Sequence, residues 1–166
     1  KMMGLAPYGK PKYYQKIIDN LFNSENDNLF KLNLDFFNHW KPNYKYITGE
    51  TLDIDQIFNN KLNELFFKEK LDNKNEFIKD FACSVQKVYE NYFNQIISYV
   101  LSRNYSKNIV FSGGCALNSS ANLILTENKK YFQDVFINYA PGDNGGAIGA
   151  ALVVAHKYFD KIDNLK

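Results

Sequence analysis

Twice in its last third this chain runs a short apolar stretch into adjacent glycines and then into an Ala-rich segment. The first pass is Ile109-Val-Phe-Ser-Gly-Gly-Cys-Ala-Leu-Asn118. The second is Val135-Phe-Ile-Asn-Tyr-Ala-Pro-Gly-Asp-Asn-Gly-Gly-Ala-Ile-Gly149. A short β-rich run that ends at Gly-Gly and opens a helical pattern predicts a strand–turn–helix unit. Two in succession make a βαβα segment, for which parallel pairing and a right-handed crossover are expected. The fold class is therefore α/β, helix-rich, with helices packed on parallel strands. In open parallel sheets ligands gather beyond the carboxyl ends of the strands, where both glycine turns fall.

Upstream of this segment the strongest pattern starts at Asn75. Phe77/Ile78, Phe81/Ala82, Val85, Val88/Tyr89, Tyr92/Phe93, Ile96/Ile97 and Val100/Leu101 recur at three- and four-residue spacing. This predicts an amphipathic helix roughly 40 Å long, its apolar stripe turned to a core. Asn73, with Glu76 three residues on, resembles a capping arrangement, and Arg103 suits the negative helix end. Nearer the start, Lys1 to Pro11 reads as a loop built on two glycines and two prolines. Tyr13 to Phe22 has helical spacing and Asn23 to Asn28 is a polar break. Leu29 to Tyr46 alternates like a strand or two with a turn at Lys41-Pro-Asn43. Thr51 to Lys70 suits one or two short helices. The organisation expected is a single domain over 1–166, with a variable insertion at 12–75 and a βαβα core at 76–160.

At 166 residues the chain can bury a real core. Its 20 basic and 18 acidic residues are interspersed without a basic block, which gives no electrostatic case for nucleic acid. No apolar run approaches the length of a membrane span. Cys83, on the core face of the long helix, and Cys115, in a glycine turn, form no disulfide framework and no metal-ligand spacing. They point to a reducing, cytoplasmic setting. The chain opens on Lys1 and directly on a structured motif, so it is expected to be a piece of a longer polypeptide.

The candidate chemistry sits on the two turns. At Ser112-Gly113-Gly114 glycines let the backbone turn sharply and expose N–H groups beside a helix start, a nest that favours an anion such as phosphate. Ser112 could add a hydroxyl donor. A tight turn needed only for packing would look the same, and neither the P-loop nor the dinucleotide-binding glycine pattern is present. Asn118 and Asn122 lie four apart on one helix face, placed either for polar contacts to a ligand or on a solvated surface. Asp143, before Gly145 and Gly146, is either a helix N-cap or a metal ligand, since a carboxylate facing bound phosphates usually needs a cation between them. His39 and His156 are isolated and carry no site. Cys115 reads as a small buried side chain, since no histidine partner for a nucleophile is visible.

Four co-ordered blocks resemble the carbamoyltransferases that modify nodulation factors and antibiotics. They are Lys1-Met-Met-Gly-Leu-Ala-Pro-Tyr-Gly9, Ala82-Cys-Ser-Val-Gln86 with Glu90, Ser112-Gly-Gly-Cys-Ala-Leu-Asn118 with Asn122, and Pro141-Gly-Asp-Asn-Gly-Gly-Ala-Ile-Gly-Ala-Ala151. The resemblance implies the second half of an actin-like domain, of the sugar kinase/heat-shock ATPase class with a ribonuclease-H-like core. It implies transfer of a carbamoyl group to a substrate hydroxyl from carbamoyl-adenylate, itself made from ATP and carbamoyl phosphate in a separate domain. Gly113 and Gly114 would hold the nucleotide's phosphate region, with Ser112, Asn118, Asn122, Gly145 and Gly146 around it. Asp143 matches an aspartate ligand to a divalent metal, typically Fe2+, whose histidine ligands lie in an upstream segment outside this chain. Such a piece would be inactive alone, and the face meant for its missing half makes self-association plausible. Two other readings stay open: another actin-fold ATP-dependent phosphotransferase or ATPase, and a non-catalytic nucleotide-binding module.

Overall fold

A computed structural model describes residues 2–24, 30–41, 57–67, 73–127 and 132–158. The chain divides into two compact units, Lys1–Ile96 and Ile97–Lys166.

In the first unit, α1 (Met2–Leu5) runs into a 3₁₀ turn at Ala6–Tyr8. The segment expected as a loop is thus helical over most of its length. Pro7 falls in the first turn of the 3₁₀ helix, where its fixed φ is compatible with helix and its missing N–H costs nothing. Helix α2 (Tyr14–Leu21) carries Tyr14, Ile17, Ile18 and Leu21 on its inner side, as their spacing predicts. It ends where Asn33 reaches back: the Asn33 backbone N–H donates to the Leu21 carbonyl at 2.9 Å and its side-chain amide to Asn20 O at 2.9 Å. Strands β1 (Phe22–Ser24) and β2 (Phe30–Leu32) then pair antiparallel, Phe22 opposite Leu32. Asn23, expected in a polar break, is a strand residue because its partner is Lys31 across the ladder. The expected turn at 41–43 lies largely outside the described residues, as do the ends of the helical reading over 51–70. Inside that stretch α3 (Asn60–Phe67) forms.

Helix α4 (Lys74–Ser102) is the long helix expected from the periodicity. The Glu76 N–H donates to Asn73 Oδ1 at 3.1 Å, so the cap forms where expected. Past the other end, Arg103 folds back onto Tyr99, its guanidinium 4.8 Å from the ring centroid. Ile17, Leu62, Phe66, Phe77 and Val88 make the buried core of this unit. Each such side chain is worth about 1.5–3 kcal/mol when removed from water. Tyr13, Phe66, Phe77 and Phe81 extend it as edge-to-face and stacked rings, with Tyr13 5.1 Å from Phe77 and Phe77 5.6 Å from Phe81.

One polar assembly is set into this core. Asp80 is 4% exposed and Ser84 fully buried. Asp80 Oδ1 accepts from the Lys10 N–H at 2.7 Å and Oδ2 meets the Lys12 ammonium at 2.7 Å. The Ser84 hydroxyl donates to Asp80 O at 2.7 Å and accepts from the Tyr13 N–H at 2.9 Å. Gly9 passes so close that a Cβ there would run into the Lys79 carbonyl. The Lys12 hydrogen bond, followed by the Lys10 N–H, holds the Asp80 carboxyl below its ordinary value. Burial and the nearby Asp80 push the Cys83 thiol up.

The second unit contains β3 (Asn108–Phe111), a 3₁₀ turn at Gly114–Leu117, α5 (Ser119–Glu127), β4 (Asp134–Ile137) and α6 (Gly145–Tyr158). The two strands pair in parallel, Asn108 opposite Asp134 through Phe111 opposite Ile137. This is the strand–turn–helix pair that the repeated glycine pattern predicts. One detail differs: the first glycine turn opens a 3₁₀ helix, and the α-helix begins only at Ser119. Ala116, Ala121, Leu125, Phe132 and Ala140 are buried.

Candidate functional site

Parallel pairing in this register brings both glycine turns to one end of the sheet. The Pro141 carbonyl links them. It takes the Gly113 N–H at 2.7 Å and the Ser112 hydroxyl at 3.2 Å. Gly142 meets Leu117 of the first turn, where an added Cβ would lie 3.2 Å from Leu117 Cδ1. Gly113 itself sits at φ 99°, a conformation that glycine adopts without strain.

The second turn begins at Asn138, whose side-chain oxygen accepts from the Ala140 N–H at 3.1 Å. It ends in two short bonds, Gly145 N–H to Gly142 O at 2.9 Å and Gly146 N–H to Asp143 O at 3.1 Å. Gly145 lies so close to the Ala140 carbonyl that a side chain would collide with it. At Gly114 and Gly146, by contrast, an added Cβ would meet nothing within 4 Å, so the backbone there is open to an approaching group.

Several residues singled out from sequence are engaged inside the chain. The Ser112 hydroxyl and the Gly113 N–H serve the junction with Pro141. Asn118 caps α5, its Oδ1 accepting from the Ala121 N–H at 3.2 Å. Asn122 Nδ2 donates to Ala116 O at 2.8 Å, while its Oδ1 is buried without a hydrogen-bond partner among the described residues. The Gly114 N–H is the first of the 3₁₀ turn and among the donors that a helix start leaves unsatisfied. Asp143 is exposed, and its carboxylate enters no hydrogen bond or ion pair among the described residues, so it does not cap α6. Cys115, expected to be buried, is exposed. In a 3₁₀ turn successive side chains point about 120° apart, and the neighbouring Ala116 holds the inward position. Pro141 opens the fourth block but has no role assigned from the sequence, because its part is played by a main-chain carbonyl that any residue could supply.

Among the described residues no three His, Cys, Asp or Glu side chains converge as a metal site. Between 112 and 118 and between 138 and 149 there is one carboxylate, Asp143, and no lysine or arginine. An anion placed there would meet backbone donors and a carboxylate, and would need a cation from elsewhere to balance it. Among the described residues no helix is long and apolar enough to cross a membrane.

The class defined so far is a helix-rich α/β protein with two glycine-rich strand–helix turns joined at one sheet end. A family model described as "Carbamoyltransferase N-terminus" matches residues 1–152. The chain belongs to that family. It is 39% identical over 162 residues to an uncharacterized protein, sll1178, of Synechocystis sp., covering 95% of this chain and 24% of that one. Nodulation protein NolNO of Sinorhizobium fredii is 26% identical over 157 residues, 95% of this chain and 20% of its own length. Nodulation protein U of Azorhizobium caulinodans is 47% identical over 49 residues, 30% of this chain and 9% of its own. The chain thus spans a quarter or less of the length of these relatives.

Proposed function

We propose that this chain is part of an O-carbamoyltransferase and carries the glycine-rich edge at which a carbamoyl group passes from carbamoyl-adenylate to a substrate hydroxyl. The observation that carries the reading, beside family membership, is the shared corner at Pro141. It ties the Ser112-Gly113 turn to the loop bearing the uncommitted Asp143 carboxylate. On this reading the domain is actin-like. Carbamoyl-adenylate is made from ATP and carbamoyl phosphate elsewhere in the longer polypeptide, in a cytoplasmic setting that suits the two free thiols.

This chain's own residues bind and orient. The open backbone at Gly114 and Gly146 admits the phosphate region, and the Gly114 N–H donates to it. Asn118 and Asn122 fix the start of α5 and the turn beneath. Asp143 offers one ligand to a divalent metal, Fe2+ on this reading. A lone carboxylate does not make a site, so the other ligands are assigned to a histidine pair in another segment. The lack of any basic side chain on the two turns favours a metal as the balancing cation. When bound, such an ion supplies Lewis-acid polarisation of the carbamoyl carbonyl.

The test uses the full-length polypeptide with ATP, carbamoyl phosphate, Fe2+ and a panel of hydroxyl acceptors. AMP release that depends on carbamoyl phosphate is expected. Asp143→Asn should leave the thermal midpoint unchanged while transfer falls by more than the roughly 10- to 100-fold typical of losing an outer-shell partner. Absence of carbamoyl-dependent AMP release, or full transfer by Asp143→Asn, would overturn the proposal.

A further inference from the structure

The second turn carries the single Asn-Gly pair of this sequence, Asn144-Gly145. In such a pair the glycine nitrogen can attack the asparagine side-chain carbonyl, because no Cβ stands in its way. Here the fold dictates the glycine, since a Cβ at 145 would run into the Ala140 carbonyl. Asn144 is an exposed turn residue immediately before α6, and its amide enters no hydrogen bond among the described residues. Its Oδ1 would stand 3.5 Å from a Cβ placed on Gly142, so the side chain folds back along the loop. The attacking atom, by contrast, is restrained: the Gly145 N–H donates to Gly142 O at 2.9 Å. The electrophile is free and the nucleophile is held.

We propose that Asn144 is a spontaneous modification site, at which its amide becomes a second carboxylate beside Asp143, and that the Gly145–Gly142 hydrogen bond sets the rate. When the turn opens, the Gly145 nitrogen gives its proton to water or hydroxide and bonds to Asn144 Cγ. The Cγ–Nδ2 bond breaks and ammonia leaves, which closes a cyclic imide. Water then opens the ring. Attack at Cγ leaves aspartate in the normal chain; attack at the Asn144 main-chain carbonyl carbon leaves the chain running through Cγ. Water is taken up and ammonia released, with no oxidant, enzyme or carbamoyl donor involved. Local opening of the turn suffices, without global unfolding. Either product adds negative charge to two turns that hold no lysine or arginine.

The test is peptide mapping by mass spectrometry of the full-length polypeptide held in warm, mildly alkaline buffer, both folded and unfolded in urea. Peptides spanning Asn144 should gain the amide-to-acid mass difference in both states. The folded protein should react about 2- to 10-fold more slowly, the span that one net hydrogen bond supplies. Ser112→Ala removes a tie of this loop at Pro141 and should bring the folded rate closer to the unfolded one. Asn144→Asp provides the reference peptide for the aspartate product. Equal rates in the folded and unfolded wild type would overturn the gate. A folded protein that shows no gain at Asn144 while the unfolded chain reacts to completion would overturn the site.

Discussion

Replacing Asp80 by asparagine probes the polar assembly that holds residues 10–13 against α4. The carboxylate is 4% exposed and receives the Lys10 N–H at 2.7 Å and the Lys12 ammonium at 2.7 Å. Lys12 stands half in water, so its contact is left out of the energy. What remains is a part-buried backbone N–H on an ionised, buried oxygen, a class worth about 1.5–3 kcal/mol. Asparagine keeps a neutral acceptor for it, so the expected loss is about 1–2 kcal/mol. Ser84→Ala, which strands the Tyr13 N–H, should cost a similar ~1–2 kcal/mol. Urea unfolding followed by Trp40, the single tryptophan and a residue of the same unit, reads both variants.

The pH dependence gives a separate check. Because the folded carboxyl titrates below its ordinary value of 3.8, its contribution is fully present above about that pH. It is lost as pH falls through the folded value. The gap between wild type and Asp80→Asn should therefore be constant near neutrality and close on acidification below about pH 4. Equal stabilities at about pH 7, or a gap that does not narrow in acid, would refute the account of the clamp.

Substitutions at two further positions test the glycine turns. Gly145→Ala forces a methyl into the Ala140 carbonyl; a loss of about 2 kcal/mol or more is expected by denaturant unfolding, within the range for overpacking, and a neutral result would contradict the tight second turn. Asn118→Ala removes the cap of α5 and should cost about 1 kcal/mol, whereas Asn118→Asp, which preserves the acceptor, should stay close to wild type in the same measurement.

The sequence by itself determined the local elements. The three- and four-residue apolar spacing from Phe77 onward placed α4, Asn73 marked its cap, and the two apolar runs closed by Gly-Gly marked a parallel strand pair and its turns. These signals are legible because each is a short-range matter of side-chain period or backbone conformation. Only the tertiary structure decided what depends on partners far along the chain. Asn23 became a strand residue through Lys31, and Ser84 and Asp80 became an anchor for residues 10–13, some seventy positions away. Ser112 was turned from a free hydroxyl into a strut on Pro141. Asp143 was ambiguous from sequence alone between helix cap and metal ligand, and Asn118 between ligand contact and solvated helix surface. The fold gave Asn118 the capping bond and left Asp143 without one among the described residues. The physical reason is that a hydrogen bond depends on where its partner lies in space, and across these separations that position is fixed only by packing.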